Sequence, residues 1–264
     1  MSAPAAAPRK QPHAGHACGA LGFAFLLFLV SGTAGVLAKL DILPMLIFAQ
    51  LSLLGAAALV VYTFRLDTKA MRLKAPTLGG FWAAVVGGAA LTTALAHLLP
   101  VEQRLFDALG WNFEPDIREF QRQLQAMQKQ SVVLMMIVAT TVPAVCEEAL
   151  FRFVALSGFV GSFGRVRGLV YTTLLFSGIH QLMPQVVMVF FVGLYIGAVV
   201  LLTDSVWTGV SVHLVNNAIA LTVKEPSGTN WFLVAAALAV TAASLAAAWR
   251  LSRRSRATEA APAA

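Results

Sequence analysis

The chain has 264 residues, of which 58% are hydrophobic and only 12% are charged, whereas soluble domains carry about 25% charged residues. This composition excludes a separate soluble domain and predicts one integral membrane domain. The formal net charge of +7 does not indicate nucleic-acid binding, because the basic residues cluster beside the ends of apolar segments, as membrane topology requires.

Eight apolar segments approach the roughly 20 residues that a transmembrane helix needs. They predict an all-α fold, a polytopic transmembrane bundle of about eight helices with an internal polar catalytic cavity. The membrane domain would cover residues 18–251, with its polar core at 132–223, between disordered tails at 1–17 and 252–264. The predicted spans are 18–38, 44–64, 79–99, 132–154, 168–183, 186–203, 205–223 and 230–250.

Basic clusters predict how the spans are oriented. They lie at 9–10, 65–74, 165–167 and 250–256, and eight alternating spans place all four on one side. Because positive charge marks the cytoplasmic side, we expect cytoplasmic termini in a prokaryotic inner membrane. The segment Val36–Ala38 also resembles a signal-peptide cleavage site, but the apolar run before it is long, so we expect an uncleaved first span.

The connection 100–131 has order of its own. Asp116 and Glu119 form a capping-box pattern. Four apolar residues at or after this point recur at the spacing of a helix. The pattern predicts a helix lying on the membrane surface, or alternatively a lid over a site inside the bundle. The four residues are Ile117, Phe120, Leu124 and Met127.

Ionisable side chains inside membrane spans are costly and usually mark function, and three spans contain them. Glu148 and Arg152 are four residues apart in the fourth span, so they can pair on one helix face. His213 and Asn217 share a face of the seventh span in the same way. The remaining two, Glu147 and His180, lie in the fourth and fifth spans.

Spacing relates Glu147 to His180. If the turn between spans four and five covers 158–168, Glu147 lies 11 residues before it and His180 lies 12 residues after it. In an antiparallel hairpin the two then lie at one depth, about 17 Å from the turn. A carboxylate and an imidazole that face each other there can hold a water, or a metal with a water.

Such a site suits hydrolysis. Glu147 can act as general base, while His180 orients the water and shares the proton. His213 and Asn217 can donate hydrogen bonds to the oxyanion of a tetrahedral intermediate. Glu148, held by Arg152, would brace the helix around the base.

A divalent metal such as zinc is a further expectation. Zinc usually takes three protein ligands, which His180, His213 and Glu147 could supply, and a water. The helical HExxH motif is absent.

Other residues are predicted to have structural roles. Cys146 lies in an apolar stretch, which predicts a small buried hydrophobe, and Gly193 with Gly197 predicts a close helix contact. Pro143 predicts a kink before the Glu pair.

Three motifs carry a resemblance to a known family. They are EExxxR at 147–152, FxxxH at 176–180 and HxxxN at 213–217. Together they resemble those of the CAAX-protease and bacteriocin-processing (Abi) family of intramembrane peptidases. The resemblance implies a conical, water-filled cavity, water activation by Glu147 with His180, and an oxyanion held by His213 and Asn217. It also implies that Arg152 holds Glu148, with Phe176 as further structural support.

The family's eukaryotic members cut the tail from prenylated CAAX proteins, and its prokaryotic members are tied to peptide maturation, immunity or cleavage of membrane-anchored tails. Its mechanism has been interpreted both as zinc-dependent and as metal-free glutamate catalysis. We therefore expect an endopeptidase that acts on a membrane-associated protein at the lipid bilayer. The alternative is a non-proteolytic protein of the same fold, either a proton-coupled transporter or an immunity or scaffold protein.

Overall fold

The computed structural model describes residues 9–40, 42–111, 118, 121–122, 125–129, 131–180, 183–223 and 226–260. Eight long helices follow one another in these parts of the chain, which confirms the predicted all-α bundle. They are α1 (Ala14–Leu37), α2 (Ile42–Phe64), α3 (Leu78–Ala108), α4 (Val132–Phe163), α5 (Arg165–Gly178), α6 (Met183–Thr203), α7 (Val206–Thr222) and α8 (Trp231–Ala260).

Six of these helices are long and apolar enough to cross a membrane, namely all except α5 and α7. The two exceptions have 14 and 17 residues. Only 17% of the apolar window of α1 is buried in the protein, against 50% of that of α6. Because an apolar side chain can remain exposed to lipid, α1 belongs at the periphery, whereas α6 occupies the centre of the bundle.

Helix α4 is not a uniform α-helix. Two π-helical stretches, Ile137–Thr141 and Ala149–Ala155, flank the α-helical piece Val142–Glu148. Pro143 is the second residue of that piece, two residues after the first π-helical stretch ends at Thr141. The two glutamates end the same piece. Single π-helical turns are often found at functional sites, and here they bracket the acidic residues.

The turn after α4 differs from the prediction. Helix α4 continues to Phe163, and the chain reverses at Gly164, whose φ of 79° suits a glycine. Gly158 and Gly161 lie inside the helix, where they allow close packing. A Cβ added to Gly158 would lie 2.6 Å from the His13 carbonyl oxygen, and one on Gly161 would lie 2.5 Å from that of Pro12.

The tails are also more ordered than predicted. The Lys10 amide donates to Arg65 O at 3.0 Å, and the Asp67 amide donates to Lys10 O at 2.8 Å. These hydrogen bonds fix the chain ahead of α1, and α8 continues to Ala260 because its sequence lacks a helix breaker. Residues 1–8 and 261–264 lie outside the described part.

Several connections meet at one end of the bundle. Arg72, between α2 and α3, donates to Ser157 Oγ of α4 at 2.9 Å and lies 3.8 Å from Asp204. Lys74 lies 3.4 Å from the same carboxylate, which follows α6. Because successive helices run in opposite directions, the connection before α3 and the connection after α6 lie at the same end of the bundle. That it faces the cytoplasm stays a prediction.

The segment between α3 and α4 is shorter than predicted, because α3 continues through Pro100 to Ala108. Five residues of the predicted surface helix or lid lie outside the described part of the chain: Asp116, Ile117, Glu119, Phe120 and Leu124. Met127 is described and buried. It packs against Met135 and Val138 of α4.

Candidate active site

The three charged residues of the first motif lie together in the core. Glu147, Glu148 and Arg152 expose only 6%, 0% and 1% of their surfaces. The predicted pair is present, because Arg152 Nη1 lies 2.9 Å from Glu148 Oε1. A buried ion pair needs further hydrogen bonds to offset its desolvation. Helices α7 and α6 supply one each, while Glu148 Oε2 and Arg152 Nε have no partner among the described residues.

Helix α7 provides the first of these partners. His213 Nδ1 lies 3.0 Å from Glu148 Oε1, the oxygen that Arg152 also contacts. Since an ionised carboxylate only accepts hydrogen bonds, His213 Nδ1 carries the donated proton. In a neutral imidazole the other nitrogen is then an acceptor. That nitrogen, Nε2, lies 3.8 Å from Glu147 Oε2.

The other glutamate, Glu147, has a different environment. Gln50 Nε2 of α2 donates to Glu147 Oε1 at 2.9 Å, while Glu147 Oε2 is buried and has no hydrogen-bond partner among the described residues. Glu147 therefore has one oxygen held and one free. Sequence reasoning missed Gln50 because it considered ionisable residues, and an amide is uncharged. The signal that could have found Gln50 is a polar side chain within an apolar span.

The second motif places two rings beside this cluster. The Phe176 ring lies 4.1 Å under the Arg152 guanidinium, and its centroid is 5.2 Å from that of His180 and 5.8 Å from that of His213. His180 Nδ1 donates to the Phe176 carbonyl at 3.0 Å. The FxxxH spacing thus fixes the imidazole orientation and leaves Nε2 as the acceptor of a neutral ring.

The turn at Gly164 changes the predicted depth but keeps the two residues level. Seventeen residues separate Glu147 from Gly164, and sixteen separate Gly164 from His180. Along the helix this corresponds to about 25 Å from the turn rather than about 17 Å. His180 itself lies just after α5, which ends at Gly178.

Glycines of α6 allow the close approach that this cluster needs. Arg152 Nη2 donates to the Gly193 carbonyl at 3.1 Å. A Cβ on Gly193 would lie 2.8 Å from Phe176 Cδ1, and one on Gly197 would collide with the Leu169 side chain. The predicted close helix contact is therefore present, and it joins α6 to α5.

The third motif includes an amide network. Asn216 Nδ2 donates to Asn217 Oδ1 at 3.2 Å. Asn216 Oδ1 lies 2.9 Å from the Thr92 hydroxyl of α3, which also lies 3.0 Å from Gly88 O. With its oxygen engaged, Asn217 offers its NH₂ group as a donor. Thr92 and Asn216 had no predicted role, since neither is ionisable.

The predicted zinc ligands do not form a three-ligand set. No group of three or more His, Cys, Asp or Glu side chains in the described ranges could hold a metal ion. His213 Nδ1 is engaged with Glu148, and Glu147 Oε1 with Gln50. Because a histidine that ligates a metal usually donates its other ring N–H to a carboxylate or carbonyl, zinc binding stays a prediction, and no step is derived through a metal. As predicted, Cys146 is a buried free thiol.

These features define a polytopic helical membrane protein with a buried Glu, His and Arg cluster. Residues 129–219 match the family model described as Type II CAAX prenyl endopeptidase Rce1-like. The match spans about a third of the chain, contains all three motifs, and confirms the resemblance. It supports a CAAX-type intramembrane protease as the class. No curated protein and no solved structure matches the chain.

Proposed function

We propose that the protein is an intramembrane endopeptidase that hydrolyses a peptide bond of a membrane-associated protein. The observation that carries this proposal is the buried Glu147 carboxylate. One of its oxygens is held by a neutral amide, and the other lies free, 3.8 Å from His213 Nε2. A free carboxylate oxygen in a buried site is suited to take a proton from water.

In the proposed first step, Glu147 Oε2 takes one proton from a water molecule. The water oxygen forms a bond to the scissile carbonyl carbon, and the carbonyl π electrons move to its oxygen. His180 Nε2 accepts a hydrogen bond from the remaining O–H and so orients the attack. When the C–N bond breaks, Glu147 returns its proton to the leaving nitrogen.

The oxyanion needs donors in the same site. The Asn217 NH₂ group is one. His213 is a second donor only as an imidazolium, whose Nε2 proton comes from bulk water before the first step, because neutral His213 carries its proton on Nδ1. Glu148 would stabilise the resulting imidazolium, and Arg152 balances the charge of Glu148. This refines the role predicted for His213.

The family description and the membrane setting support a proposal for the substrate class. We propose a protein whose C-terminal region is lipidated or anchored by an apolar segment, with a prenylated CAAX tail as the first candidate. The anchor would remain in the bilayer and deliver the scissile bond to the cavity. The alternative functions are a proton-coupled transporter and an immunity or scaffold protein.

The test uses purified protein in lipid nanodiscs and a quenched fluorescent peptide with a farnesylated CAAX terminus, beside its unprenylated counterpart. Cleavage by wild-type protein should fall at least about 100-fold in Glu147→Gln. The matched control is Glu102→Gln, which alters a buried carboxyl group of α3 outside the site and should keep activity within about twofold. Full activity of Glu147→Gln would refute the proposal. A proton-driven flux into liposomes that Glu147→Gln abolishes would favour transport.

A further inference from the structure

A neutral side chain of α2 makes a hydrogen bond to the candidate base. Gln50 lies before the matched segment 129–219, yet its amide Nε2 reaches Glu147 Oε1 at 2.9 Å. None of the three motifs includes Gln50. The role inferred for Gln50 rests on the proposed function of Glu147.

The two adjacent glutamates are distinguished by their partners. Glu148 Oε1 contacts both Arg152 Nη1 and His213 Nδ1, so it acts as a charge-paired anion. Glu147 instead receives one hydrogen bond from an amide that adds no charge. Pairs of carboxylates with different environments often divide catalytic roles. A cation in place of Gln50 would weaken the basicity of Glu147, whereas the amide orients the carboxylate and leaves its free oxygen basic.

Packing holds Gln50 in place. Helix α2 packs against α4 through Ala57 and Val60, which are buried in one cluster with Leu150 and Phe151 of α4. Ala57 lies seven residues, about two helical turns, after Gln50, so both share one face. The amide is therefore presented to Glu147 by a rigid helix contact rather than by a mobile side chain alone.

The oxygen of the Gln50 side-chain amide is available to accept a hydrogen bond. Gln50 Oε1 is buried and has no hydrogen-bond partner within the described ranges, and the same holds for Glu147 Oε2. A bound water normally needs two or more polar partners. We propose that Gln50 is a positioning residue that holds Glu147 Oε1, so that Glu147 Oε2 stays free to take the proton of the attacking water.

The charged and titratable groups around Glu147 come from α4 and α7, and His180 lies beside them just after α5. Glu148, Arg152 and Cys146 lie on α4, and His213 faces it from α7. Replacing Gln50 by methionine, which has similar length and no hydrogen-bonding amide, leaves all of them in place. Outer-shell partners that orient metal ligands contribute about 10- to 100-fold in activity, and we expect a partner that orients a catalytic carboxylate to act on the same scale. We therefore expect kcat of Gln50→Met to fall by that factor, with KM within about twofold.

The matched control is Ser52→Ala on the same helix. Ser52 Oγ donates only to the Phe48 carbonyl of its own helix, so this variant should keep wild-type kcat. A second readout needs no substrate. The infrared difference spectrum between wild type and Glu147→Gln isolates the Glu147 carboxylate stretch, and this band should move in Gln50→Met but not in Ser52→Ala.

The outcomes separate the two ideas. If Glu147→Gln is inactive while Gln50→Met keeps both kcat and the carboxylate band, this inference is overturned and the proposed function stands. If Glu147→Gln cleaves normally, the proposed function fails, and the infrared band still tests the Gln50 contact. Equal losses in Gln50→Met and Ser52→Ala would assign the effect to α2 packing and also overturn the inference.

Discussion

His213 Nδ1 and Glu148 Oε1 lie 3.0 Å apart, and this contact links the first motif to the third. It fixes which imidazole nitrogen carries the proton and directs Nε2 towards Glu147. The same carboxylate oxygen contacts Arg152. Glu148 is therefore a positioning residue in the proposed reaction, and Glu147 is the one that reacts.

Arg152→Met should strongly destabilise the protein. The substitution leaves Glu148 as a buried charge without its cation, and breaking a buried pair in this way costs about 3–5 kcal/mol. Thermal unfolding in detergent, followed by circular dichroism, measures the loss.

The double variant Glu148→Gln with Arg152→Met provides the control, because it removes both charges. It should recover much of the lost stability and remain inactive, since a glutamine cannot stabilise the His213 imidazolium. If the double variant were less stable than the single one, the ion pair would not explain the effect.

Thr92→Val should reduce cleavage through Asn217. The hydroxyl lies 2.9 Å from Asn216 Oδ1, and its loss frees Asn216 and, through it, the Asn217 amide. We expect kcat to fall about tenfold, since orienting partners contribute about 10- to 100-fold. Thr92→Ser should retain activity.

The adjacent residue offers a matched control. The Thr93 hydroxyl donates only to Ala89 O of its own helix, so Thr93→Val should cleave at the wild-type rate. Similar losses in both valine variants would argue against the amide network.

Gly209→Ala should disturb the site from α7. The added Cβ would lie 2.7 Å from Val200 Cγ2 and 2.9 Å from Glu148 Oε2. Overpacking of this kind costs about 1–3 kcal/mol, and displacement of Glu148 should lower kcat as well. Unfolding and cleavage can be measured on one preparation. Gly55→Ala, whose Cβ would meet nothing within 4 Å, should neither destabilise the protein nor lower kcat, because alanine favours a helix more than glycine does.

Gly158→Ala should loosen the segment before α1. The new Cβ would lie 2.6 Å from the His13 carbonyl oxygen, so the segment must shift. Trypsin should then cut after Lys10 several-fold faster than in the wild type, because cleavage requires local opening. Gly19→Ala, which has open space for its Cβ, is the control, and an unchanged rate in Gly158→Ala would contradict the packing described.

The sequence predicted the features that depend on local chemistry. Apolar length marked the membrane helices, because a span must be about 20 residues long. The Glu148–Arg152 pair and the shared face of His213 and Asn217 follow from the helical repeat alone. The three motifs also indicated the family that residues 129–219 match.

Sequence reasoning placed the turn before α5 wrongly, because glycine serves two purposes. Gly158 and Gly161 resemble turn residues, yet they provide space for the backbone of Pro12 and His13. Only contacts with a segment about 150 residues away distinguish packing from turning. The ordered start of the chain was missed for the same reason.

What the sequence by itself determined is the class of fold and the residue types of the site, since both follow from hydrophobicity and short spacing. The tertiary structure alone decided their partners. Gln50 reaches Glu147 across 97 positions, and Glu148 contacts His213 across 65. Hydrogen bonds between helices depend on how the helices pack, and local sequence patterns do not encode that arrangement.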